Sequence, residues 1–247
     1  MRCEVQAALG LIWHQEHRKL VEATASYMRF EQLCHRTELF SESYLTHPIG
    51  QFLLARHGKK TRAEWTHPLL ASTKTGPGRR PSVDFAVLQD DGQTPAIAVE
   101  AKWLGSANDL LEQAIRDLVR LELLVHEYHA TGYVLLAGTR RRAESLFEKK
   151  AARPHPTQPS SRALFPRETG AEAWLRLQKP SEFRRSVVER ALRPFAGIDI
   201  EIAAGIRISS SGLFPKDAPL SQCCVLGWKI ERAADERFRP ATADRVV

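Results

Sequence analysis

The sequence predicts an α/β protein with a mixed central sheet flanked by helices. Three observations predict it: two apolar strands around an Asp91-Gly92 turn, a long amphipathic helix after them, and a glycine-bounded apolar run after that. Residues 3–40 repeat apolar side chains at three and four (Val5, Leu9, Ile12, later Tyr27, Phe30, Leu33), which predicts N-terminal helix. A second helix is predicted over 41–57, closed by Gly58, and a strand over 61–70. The Gly-Pro-Gly-Arg-Arg-Pro run at 76–81 reads as a loop, and strands follow at 82–89 and 95–103.

Ser106 with Asp109 three places on is a capping-box pattern, and Leu111, Ala114, Leu118, Leu121 and Val125 form an apolar stripe behind it. The run Tyr133–Ala137 is apolar throughout, as in a strand buried on both faces. Beyond 150 the pattern gives a Pro/Ser/Thr-rich loop at 153–170, short helices at 170–178 and 182–192, strands at 198–208 and 222–231, and a terminal tail. The chain divides into an N-terminal helical extension (1–40), a core (41–140) and a C-terminal α+β elaboration packed on the same domain (141–247).

The two strands carry charge where strands of a core usually do not. Side chains alternate faces, so Glu100 and Lys102 point the same way, with Ala96 and Ala98 beside them; Asp84 and Ala86 share one face of the preceding strand. A hairpin loop of odd length, three or five residues, sets Asp84 opposite Glu100, whereas a two-residue loop sends Glu100 to the wrong side. The small alanines leave room for a cleft. Two carboxylates that close repel each other, and a divalent cation relieves the repulsion; Mg²⁺ suits one or two carboxylates plus phosphate and water. The carbonyl of Ala101 is a further candidate ligand, and Lys102 stands where it could orient an attacking water. The plainer alternative is a half-exposed hairpin whose outer face is charged for solubility.

Pro81-x-x-Asp84, fifteen intervening residues and Glu100-x-Lys102 resemble the signature of the PD-(D/E)xK nuclease superfamily. The resemblance covers residues 38–138 and includes the order helix, three antiparallel strands, helix, strand. It implies a restriction-endonuclease-like core and Mg²⁺-dependent cleavage (Mn²⁺ as a substitute) of DNA more often than RNA. Asp84 and Glu100 would then hold metal and Lys102 would serve the nucleophile. It implies an acidic residue on the first core helix, for which Glu42 is the candidate and Glu38 the second. It places a glutamine on the helix after the lysine, here Gln113. Position 117 is Asp where the RecB-like branch has tyrosine, so that branch is not assigned. Asp109, Gln113, Arg116, Asp117 and Arg120 read as a solvated polar face.

The chain has 36 Lys and Arg against 29 Asp and Glu, a net +7, which favours a polyanionic partner. Arg79 and Arg80, just before Asp84, are candidate phosphate contacts; the clusters Lys59-Lys60-Arg62 and Arg140–Arg142 are weaker ones. A homodimer is the arrangement by which such a fold cuts two strands. No nucleotide-binding P-loop pattern occurs, and the four cysteines, lacking a C-x-x-C pair, read as reduced structural thiols of a cytoplasmic protein with no membrane partner. Two other readings stand beside the nuclease: a non-cleaving nucleic-acid-binding protein of the same fold, and a protein-interaction module.

Overall fold

The computed structural model describes residues 2–72, 78, 80–105, 109–154 and 163–241. Helices α1 (Arg2–Leu33) and α2 (Glu42–His57) come first, joined by a short 3₁₀ turn at Thr37–Leu39. Strand β1 (Thr61–Thr66) follows, then a one-turn helix α3 (Pro68–Ala71), β2 (Ser82–Leu88), β3 (Pro95–Trp103), α4 (Leu110–Tyr128) and β4 (Thr131–Thr139). The C-terminal half supplies α5 (Arg140–Glu148), β5 (Glu172–Arg176), α6 (Glu182–Leu192), β6 (Ile202–Ala203), β7 (Gly205–Phe214), β8 (Cys223–Ala233) and β9 (Arg237–Phe238).

Seven strands form one mixed sheet in the order β1-β2-β3-β4-β8-β7-β5, parallel at β3–β4 and antiparallel elsewhere. β8 pairs with β4, so the C-terminal half extends the same sheet. Two cores lie on its two sides. One, with α4, gathers Ala98, Leu118, Leu136 and Trp228; the other, with α1 and α2, gathers Leu20, Ile49, Phe85, Val99 and Tyr133. β4 is buried on both faces, as its unbroken apolar run requires. No described helix is long and apolar enough to cross a membrane.

Several expectations are corrected. The stretch read as a helix over 170–178 is strand β5: Ala173 and Leu175 are buried while Glu172, Trp174 and Arg176 face out, a period of two that the apolar content masks. The strand read over 198–208 splits into β6 and a longer β7 that runs on through three serines to Phe214. The strand read over 61–70 stops at Thr66, because His67 caps α3 and Pro68 takes its first turn. Ser106 lies outside the described residues, and Asp109 is the N-cap of α4 without a side-chain cap bond. His17 stacks on Tyr133 inside the core, 4.8 Å between centroids. Cys223 and Cys224 are buried free thiols, both pushed up to about 12 chiefly by burial, while the Cys34 thiol is free and exposed.

Candidate metal and phosphodiester site

The β2–β3 ladder pairs Phe85 with Val99, Ala86 with Ala98 and Val87 with Ile97 and ends there; carried one residue further, the same register sets Asp84 across from Glu100. The loop does not do this in the expected way. Gln89 N–H donates to the Thr94 carbonyl, which leaves four residues at the tip, an even number. The register shifts between Val87 and Leu88, and Ala96 is the extra residue on β3. A β-bulge thus supplies the one-residue offset assigned to the loop. Asp91 accepts the backbone N–H of Gln93 and Thr94, which fixes the tip.

Asp84 Oδ2 accepts the N–H of Ala101 at 2.7 Å. Ala101 therefore meets the carboxylates through its N–H, whereas its carbonyl is the group expected to serve a metal. Glu100 is 1% exposed and its Oε1 lies 2.8 Å from Arg120 Nη2. The pair is close but misaligned, since Glu100 Oε1 accepts no hydrogen bond. Lys102 Nζ bonds Glu42 Oε1 at 3.0 Å and lies 3.6 Å from Asp117 Oδ2. Arg120 Nη1 reaches Asp117 Oδ1 at 3.3 Å.

Glu42 is placed by helix capping: Ser41 accepts Tyr44 N–H at 3.2 Å, which starts α2 at Glu42 against Lys102. Glu38 is exposed in the preceding 3₁₀ turn. Gln113 does not join the cluster; its side chain bonds Asp109. Asp117 stands there instead, one turn later.

Asp117 and Arg120 were missed, being read as part of a solvated face. Asp117 is 2% exposed. Its signal is in the sequence: positions 110, 114, 117, 121 and 124 trace one helical face as Leu, Ala, Asp, Leu, Leu. A charge inside an apolar stripe marks a buried ionic contact. Glu64 was missed as well. It lies between Ala63, paired with Phe85, and Trp65, paired with Val83, hence across from Asp84. Its φ of 50° is left-handed, a conformation costing a glutamate about 1–3 kcal/mol.

Electrostatics within the cluster are unbalanced. Burial first, then the charge of Asp117, pushes Glu100 well above the ordinary carboxylate range, with Arg120 and Lys102 pulling the other way. Burial likewise raises Asp117 against the pull of Lys102 and Arg120. Burial works against the Lys102 ammonium, but Asp117, Glu100 and Glu42 outweigh it and hold its pKa above the usual lysine value.

The expected cleft does not open over Ala86 and Ala98, which are fully buried in the core that includes α4; Ala96, at the bulge, is half-buried. The opening lies to the side, a groove of about 750 Å³ lined by Glu42, Glu64, Asp84, Arg80, Arg116 and Arg120. Pro194, Phe195 and Ile198, from the C-terminal half, line the same groove. Arg80 is exposed on it; Arg79 lies outside the described residues.

Among the described residues no three His, Cys, Asp or Glu side chains are arranged as a ready metal cage. The donor set nevertheless fits a hard divalent ion. Four carboxylates (Glu42, Asp84, Glu100, Asp117) gather with two cations (Lys102, Arg120), and oxygens of Glu100 and Asp117 are buried without a hydrogen-bond donor. Comparisons with family models, with curated proteins and with solved structures return no match to this chain.

Proposed function

We propose that this chain is a Mg²⁺-dependent nuclease of the PD-(D/E)xK type with a restriction-endonuclease-like core, hydrolysing phosphodiester bonds in DNA rather than RNA. One observation carries the reading: carried one residue past its last pair, the β2–β3 register sets Asp84 against Glu100, the charge of Lys102 reaches Glu100, and Asp84 and Glu42 line a groove with arginines on it. Asp84 and Glu100 would hold the ion, with Mn²⁺ as a substitute. When bound, it would polarise the phosphate and lower the pKa of the attacking water. Lys102, held by Glu42, orients that water and offsets charge growing on phosphorus. Arg80 and Arg116 stand on the groove where phosphates flanking the scissile bond would lie. A reducing, cytoplasmic setting suits the free thiols, and a homodimer would let two such sites cut both strands.

Plasmid and single-stranded DNA, and RNA, incubated with Mg²⁺ or Mn²⁺ test the reading. Cutting lost in Asp84→Ala with binding kept supports it; no cutting of any substrate by the unaltered chain overturns it. A second reading, a nucleic-acid-binding protein of the same fold without turnover, is favoured by the ion pairs that already engage Glu100 and Lys102. It predicts salt-sensitive binding and intact substrate.

A further inference from the structure

Arg120 has an arrangement that a merely structural arginine does not need. Its Nη2 sits 2.8 Å from Glu100 and its Nη1 3.3 Å from Asp117, yet its Nε is buried with no hydrogen-bond partner. A guanidinium carries five N–H donors, and a settled buried carboxylate pair usually engages them in aligned, bidentate bonds. Here the Glu100 contact is short and misaligned. Charge proximity rather than hydrogen-bond geometry holds the pair.

We propose that Arg120 is an exchangeable counter-cation, pairing with Glu100 in the ion-free protein and leaving it when a divalent cation takes its place. The inference rests on the metal reading above. Glu100 and Asp117 are buried at 1% and 2% exposure, and a carboxylate so placed, when ionised, needs positive charge nearby. An ion bound at Glu100 would come within about 4–6 Å of the guanidinium, where like charges strongly disfavour each other. The side chain has somewhere to go, because Arg120 also lines the groove. Its backbone stays put: the Arg120 carbonyl is held by His67 Nε2 at 2.9 Å. Movement is confined to a long side chain with several rotamers. Lys102 is not the exchanging group, since its ammonium has an aligned bond to Glu42 at 3.0 Å.

Calorimetric titration of Mn²⁺ into the unaltered chain, Arg120→Gln and Arg120→Lys tests this, with thermal midpoints taken with and without Mn²⁺. Removing the competitor should tighten Mn²⁺ binding about tenfold, within the usual range of coupling between two sites. Arg120→Gln should also melt lower without the ion and gain more from it. Arg120→Lys, which keeps the charge, should bind Mn²⁺ within about threefold of the unaltered chain, well below that coupling. A role in packing alone would lower stability without tightening the ion. Should Arg120→Gln fail to fold, Arg120→Met, which keeps the length of the side chain without its charge or donors, is read the same way. Equal or weaker binding in the variant, with the unaltered chain still binding Mn²⁺, overturns the exchange alone. No binding to any of the proteins overturns the exchange together with the metal reading.

Discussion

Asp84 and Glu100 lie one residue past the last pair of the β2–β3 ladder, Phe85 with Val99, and Asp84 there accepts the Ala101 N–H at 2.7 Å. Glu100 is sealed at 1% exposure and its Oε1 has a misaligned arginine for company. One carboxylate is solvated by the chain, the other is a charge kept at a cost.

That difference separates stability from activity. Glu100→Gln removes a buried charge while keeping shape, and Arg120 retains Asp117. The variant should be more stable without divalent ions by about 1–2 kcal/mol, in line with other strained functional positions. Cleavage should fall by more than about a hundredfold, since loss of a ligand exceeds loss of a ligand's supporting partner. Urea melts in EDTA and a cleavage assay check the pair of outcomes. A variant both less stable and active would count against Glu100 as a ligand.

His67 gives the clearest pH dependence. Its Nδ1 accepts the Leu70 N–H at 3.3 Å, so its Nε2–H donates to the Arg120 carbonyl at 2.9 Å. Burial is the main cause that lowers its pKa to about 4. A depressed histidine pKa means the unfolded chain binds the proton first, so the stabilisation is complete above about pH 6.5 and lost as pH falls toward 4. The loss is about 3 kcal/mol for a shift of that size. An NMR titration of the imidazole resonances should give a midpoint near 4; a midpoint near the free-histidine value would refute the assigned burial and tautomer.

How much of this was legible follows from where the signals are local. Strand alternation and the Asp91-Gly92 turn placed Asp84, Glu100 and Lys102 on one side, because pleating depends on the chain alone. The route to that register was not legible: the bulge at Ala96 depends on how two strands pair, and an odd loop explains the same pattern equally well. Asp117 was legible as a charge inside an apolar helical stripe, whereas Arg120 was not, because a helical wheel does not show which neighbour covers a polar side chain. β5 was misread because five residues with a Trp facing solvent carry too weak a period. The open side of the groove was beyond reach, since Pro194 and Ile198 arrive from a segment far along the chain.

The C-terminal half is tied to α4 by a buried charge. Glu122 is fully buried and bonds Arg237 Nη1 at 2.7 Å, while Arg237 Nη2 also donates to the Glu201 carbonyl. Arg237→Met alone leaves Glu122 buried without its cation and should cost about 3–5 kcal/mol. Adding Glu122→Leu should recover most of it, because a buried pair replaced by apolar groups is near neutral. Chemical denaturation of the two variants decides. Equal losses in both would show that Arg237 acts through packing rather than charge.

Arg116 tests the nucleic-acid reading without touching the carboxylates. It lines the groove, makes no ion pair among the described residues, and its buried Nε has no hydrogen-bond partner. Its charge also reaches Asp109, but no ion pair holds the guanidinium, so it can take a phosphate. Arg116→Ala should weaken DNA binding in Ca²⁺ about equally for different sequences, and reduce the slope of log affinity against log salt by about one. Its effect on stability should be small, since no aligned bond is lost. An unchanged slope would remove Arg116 from the interface. A change confined to one sequence would instead make it a base contact, which a groove approached through phosphates does not predict.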